Sequence, residues 1–246
     1  MDPPPYIPQF PPELMALLDD PRLADMKDSP DPLAHSTRLL EPRDPPTRGE
    51  SRYLLLRHDD GYDTRRRSVR WVNQPKGLGF LGRTGGGLGF SLVTERPQFH
   101  ERTKKRAIYA DASSYLGWWI ASPAFVEILR QFDPEPIETV AIDWVFADGQ
   151  RLDRYVFVDV RRLVHAYDYA RTAVVVQMKK GTKYIGWPAH PRALKPDIDP
   201  AVHVFRDAFW CDDLFMSRAL AKALADAGLL RGIRFEDPFS VATVEF

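Results

Sequence analysis

The chain has 246 residues, with 34 Lys plus Arg against 34 Asp plus Glu and a formal net charge of zero. Apolar residues make up 44% and charged residues 28%, as in a soluble globular protein, and the neutrality argues against attraction of the whole molecule to nucleic acid or to an anionic membrane. The single cysteine, Cys211, excludes an intramolecular disulfide and a zinc site of several cysteines; there is no apolar run long enough for a membrane span, and residues 1–12 lack the basic and apolar regions of a signal peptide.

Of the 22 prolines, 12 lie in residues 1–46. Each lacks an amide donor and drives its predecessor toward extended backbone. Residues 1–50 are therefore expected to be a Pro-rich acidic arm, net −5, with one short helix near residues 13–18. The arm is either a solvated tail or packs on the body through Tyr6, Ile7, Phe10, Leu14 and Leu17. Residues 51–110 carry net +8 and residues 111–246 net −3. The expected organisation is this arm, a basic Gly-rich β segment over 51–110 and an α+β region over 111–246, with 50–246 also readable as one compact domain.

Within the basic segment, His58, Asp59, Asp60 and Asp63 form a dense group of potential ligands, but they lack the Gly and downstream Glu that a calcium loop requires. Arg65, Arg66, Arg67 and Arg70 are either a phosphate-binding patch or solvated surface. A strand is expected over residues 69–72. The Gly77, Gly79, Gly82 spacing that follows resembles a dinucleotide fingerprint, yet the glycines of 85–89 cannot supply the helix it needs. A glycine-rich loop is the expected outcome.

Farther along, Ser122-Pro123 reads as the capped start of a helix that stops before Asp133-Pro134. Val140, Ile142, Trp144 and Phe146 alternate as one strand, and residues 155–160 form its antiparallel partner across the Asp148-Gly149 turn. Further strands are expected over 171–178 and 202–205. Ser217 caps a final helix that Gly228 ends in the left-handed conformation, and residues 232–236 form a short closing strand. The fold class is α+β, mainly antiparallel sheet with a few packed helices.

No catalytic constellation emerges. Cys211 has His203 nearby in sequence, but Asp212 and Asp213 would raise the thiol pKa and so oppose activation. The six histidines form no zinc-protease pattern, and neither a cofactor nor a metal is expected. Adjacent aromatics on a strand face opposite sides, so Trp118-Trp119 and Phe209-Trp210 each place one ring in the core and one where it is exposed or covered by another segment. Phe209 and Trp210, flanked by Asp207, Asp212 and Asp213, either pack in the core or form an aromatic–acidic patch suited to a basic protein partner.

Four stretches carry a family resemblance: Trp119 through Ser122-Pro123 to Leu129; Arg154-Tyr-Val-Phe-Val-Asp-Val160 with Leu163-Val-His-Ala-Tyr-Asp168; Phe215 to Leu224; and Ala227 to Phe235. Their order resembles the immunity protein eleven family of bacterial polymorphic-toxin systems, over residues 118–235. The resemblance implies a non-enzymatic cytoplasmic protein that neutralises a cognate protein toxin by stoichiometric complex formation. Phe209, Trp210, Asp212 and Asp213 are then the first candidates for the contact, and Arg65, Arg66, Arg67 and Arg70 the second. Two other readings stay open: an enzyme or small-ligand protein whose site is assembled from distant residues, with His58, Asp59 and Asp63 as first candidates, and nucleic-acid binding through the 65–70 arginines.

Overall fold

A computed structural model describes residues 10–31, 34–46, 51–59, 69–75, 86–87, 89–101, 110–152, 155–240 and 242–246. The described chain opens with a one-turn helix α1 (Pro12–Met15), two 3-10 turns (Ala16–Asp19 and Pro21–Leu23) and strand β1 (Ser36–Leu40). Strands β2 (Tyr53–His58), β3 (Val69–Trp71), β4 (Gln98–Glu101), β5 (Ala112–Tyr115) and β6 (Trp118–Ala121) lead to helix α2 (Pro123–Phe132). Next come β7 (Ile137–Ala141), β8 (Asp143–Val145), β9 (Arg151–Leu152), β10 (Val156–Val160) and β11 (Leu163–Val164). β12 (Ala173–Lys179), β13 (Thr182–Ala189), β14 (Val204–Asp207), β15 (Leu214–Ser217), helix α3 (Arg218–Asp226) and β16 (Ile233–Glu236) complete the order.

These strands form four sheets, ordered β3-β4-β8-β9, β5-β6-β10-β7, β11-β14-β15-β2-β16 and β1-β12-β13. Pairing is antiparallel except between β4 and β8 and between β11 and β14. The period-2 alternation of strand side chains sorts the apolar residues into three cores. On β6, Trp118 and Ile120 enter an aromatic core with Trp71, Phe99, Trp144 and Phe157, while Trp119 and Ala121 enter a second core with α2 and α3. On β2 and β15, Leu54, Leu56, Leu214 and Met216 face that second core, while Tyr53, Leu55 and Phe215 face a third. Val174 and Val176 of β12 and Ile185 of β13 close the third core from its far side. Both members of the Trp118-Trp119 pair are thus buried, on opposite faces of one sheet.

Local signals were followed closely. Ser122 Oγ accepts the Phe125 N–H at 3.3 Å, Ser217 Oγ accepts the Leu220 N–H at 3.2 Å, and Gly228 ends α3 with φ +68. The alternating run from Val140 to Phe146 departs from expectation: it splits into β7, paired with β10, and β8, paired with β4 and β9. All four of its apolar side chains still reach the aromatic core, so the alternation persists across the change of sheet.

The described part of the N-terminal segment is not a solvated tail; it packs on the body, the second of the two readings. Leu14, Leu23 and Met26 are buried in the third core, with Leu17 packed against it. Strand β1 pairs with β12 in the proline-free interval between Pro32 and Pro42, at a sheet edge, where a flanking proline is tolerated. Tyr6, Ile7, Arg65, Arg66, Arg67, Asp60, Asp63 and Gly77, Gly79 and Gly82 lie outside the described residues.

Candidate functional site

The β14–β15 connection contains Phe209, Trp210, Asp212 and Asp213, and alternation on β14 sends its two charged residues to opposite sides. Arg206 and Asp159 on β10 form an ion pair of 3.2 Å with both side chains almost wholly enclosed. The Arg206 guanidinium also donates to the carbonyls of Val160, Cys211 and Gly117 at 3.1, 2.7 and 2.9 Å. Asp159 accepts the N–H groups of Gly87 and Gly89 at 2.8 and 2.7 Å. Burial pushes the Asp159 carboxyl up, against the pull of Arg206 and the two amides. This centre ties the end of the glycine-rich segment to the base of the 208–213 loop.

Asp207 shapes the loop itself. Its Oδ1 accepts the N–H groups of Phe209 and Trp210 at 2.9 and 2.8 Å, and its Oδ2 accepts that of Ala166 at 3.1 Å. Burial outweighs these donors and pushes the carboxyl up to about 6. At the other end, Asp213 departs from the expectation of an exposed acid. It is 6% exposed; its Oδ2 accepts from Tyr167 Oη at 2.5 Å and Arg192 Nη1 at 3.1 Å, and its Oδ1 faces Arg57 Nη1 at 3.0 Å. Two arginines remote in sequence neutralise it, so sequence proximity to Asp212 is misleading. Burial holds the Tyr167 hydroxyl protonated far above its ordinary range.

Asp212 is exposed. Phe209 and Trp210 are half-buried against the third core. The Phe209 ring lies 4.3 Å from Phe10 and 4.5 Å from Trp210, and Trp210 meets Tyr167 and Tyr169 edge-on at 5.9 and 5.7 Å. Its Nε1 donates to the Gly186 carbonyl of β13 at 3.4 Å. The loop is therefore a rigid platform: aromatic rings and buried carboxylates fix its backbone while Asp212 faces solvent.

The other singled-out residues are dispersed. Arg70 is exposed on β3, and His58 ends β2 beside Asp59. Among the described residues, no three His, Cys, Asp or Glu side chains gather as a metal site. His203 turns its Nδ1 to Ser217 Oγ at 2.9 Å. Burial, reinforced by Asp212, pushes the Cys211 thiol up to about 11. Sequence reasoning missed Arg206, Asp159, Arg57, Arg192 and Tyr167, whose partners lie on other strands and leave no local spacing signal. Among the described residues, no helix is long and apolar enough to cross a membrane.

A search of curated proteins finds no match to this chain. The model of the immunity protein family (Imm11) matches residues 35–238, beginning just before β1, running past β16 and extending well upstream of the motifs that carry the sequence resemblance. With that match covering most of its length, the chain belongs to the immunity protein family.

Proposed function

We propose that this protein binds a toxin of the cell that makes it, in the cytoplasm, and neutralises it non-enzymatically by stoichiometric complex formation. The family match over residues 35–238 carries this reading. Inhibition of this kind needs only a tight interface, typically about 800 Å² per partner, that covers the toxin's working surface. The 208–212 loop is the first candidate for the contact. Asp212 meets the solvent there, and Phe209 and Trp210 hold the loop in one shape, which limits the ordering entropy lost on binding. Asp213, with its carboxylate paired to Tyr167, Arg192 and Arg57 inside the fold, supports this contact less than Asp212 does.

Co-expression with the neighbouring toxin gene tests the proposal. The expected result is rescue of growth and a single complex on size-exclusion chromatography. Continued killing with both proteins eluting separately would overturn it.

A further inference from the structure

The β1-β12-β13 sheet buries one face in the third core and turns the other outward. On the outward face the register places Leu39 opposite Val175 and Val175 opposite Trp187. Trp187 is 47% and Leu39 45% exposed, while Val175 between them is 9% exposed. Single exposed apolar residues are ordinary, but a row crossing three strands is a contiguous apolar strip of the kind that marks interaction surfaces. Exposed Trp is also a favoured interface anchor.

The charge around this strip is one-sided. Residues 171–191, which span β12, the turn and β13, contain Arg171, Lys179, Lys180 and Lys183 and not one Asp or Glu, in a chain whose acids and bases balance overall. Lys179 Nζ donates to His35 Nε2 at 3.2 Å. Among the described residues, Asp28 reaches the turn from elsewhere and accepts the Gly181 N–H at 2.8 Å, and Asp44 lies 3.9 Å from Arg171 Nε; the register puts Lys183 opposite Met178, on the core side of the sheet, which leaves Lys179 and Lys180 to charge the outer face. The strip also adjoins the 208–212 loop, since Trp210 is bonded to Gly186, the residue before Trp187.

We propose that the outer face of this sheet is a second part of the toxin contact and takes an acidic protein surface. Trp187 and Leu39 anchor in an apolar depression of the partner, and Lys179 and Lys180 face its carboxylates. An acidic protein fits better than single-stranded nucleic acid, which needs a succession of free aromatic faces: Trp187 is the one large aromatic exposed on these three strands, and Tyr184 is turned to His35. This inference rests on the immunity reading and extends it from the loop to the sheet.

The test uses the purified domain encoded by the neighbouring toxin gene, with its active site disabled, as probe. Trp187→Ala is expected to weaken binding by about 30-fold or more. Lys179→Glu combined with Lys180→Glu is expected to slow association about tenfold at low salt and much less at high salt. Melting temperatures should stay close to wild type, because all three side chains lie at the surface, and the charge variant retains Trp187 should the Trp187→Ala protein fail to fold. If wild type binds tightly and both variants bind within about twofold of it, this face is not the interface while the immunity reading stands. If wild type neither binds nor protects, the immunity reading falls and takes this inference with it. If Trp187→Ala weakens retention on a single-stranded RNA oligonucleotide but leaves toxin affinity unchanged, the acidic-protein assignment is overturned.

Discussion

Arg206 joins two sheets with one side chain, and its removal would leave Asp159 buried without its cation and three carbonyls without their donor. Truncating one member of a buried pair costs about 3–5 kcal/mol, so Arg206→Ala should lower unfolding stability by that amount in a urea titration. A Cβ added at Gly86 would stand 2.6 Å from Arg206 Cζ and 2.8 Å from the Gly117 carbonyl, so Gly86→Ala should disturb the same centre. Asp207 makes stability depend on pH. Its folded pKa lies above the unfolded value, so its favourable contribution is full below about pH 4 and disappears as pH rises through about 6. Wild type should therefore lose about 2 kcal/mol between about pH 4.5 and pH 7 that Asp207→Asn does not lose; parallel pH slopes for the two proteins would refute the assignment. Cys211, with its thiol pushed up to about 11, should react slowly with a thiol reagent at neutral pH and much faster in strong alkali.

Helix α3 depends on devices that lie within a few residues of one another. Ser217→Ala removes its cap and should cost about 1 kcal/mol. At Gly228 an added Cβ meets nothing within 4 Å, so Gly228→Val tests the left-handed backbone alone and should cost about 1–2 kcal/mol. Thermal melts of both variants check this, and an unchanged Gly228→Val melt would contradict the φ of that residue. Such local devices are legible in sequence because cap, helix and stop are neighbours; Ser122 and α2 were readable for the same reason. Strand β2 was not, since its Tyr53-Leu-Leu-Leu56 run is buried on both faces and shows no alternation. Strand β13 hid behind Gly186 and Pro188, which its edge position and its irregular register with β12 accommodate. The β7–β8 break was invisible because both pieces feed one aromatic core. At the candidate site, the aromatic and acidic character of residues 209–213 could be read, but the burial of Asp213 could not, because Arg57, Arg192 and Tyr167 reach it from other strands.

At the scale of the whole molecule, the four sheets and three cores of the described residues hold a short loop and a sheet face side by side, joined where Trp210 meets Gly186. Buried charges within the fold give the loop its shape, while Asp212, Trp187 and Leu39 face outward. A stoichiometric inhibitor needs this combination of a rigid frame and an exposed contact surface, and no chemistry of its own. The most direct test is a titration of the toxin's activity with this protein at concentrations far above the dissociation constant. Stoichiometric neutralisation predicts a linear fall in activity that reaches zero at a fixed whole-number ratio of the two proteins and does not deepen with time. Complete inactivation by substoichiometric amounts, increasing with incubation, would show that the protein acts catalytically and would contradict the account.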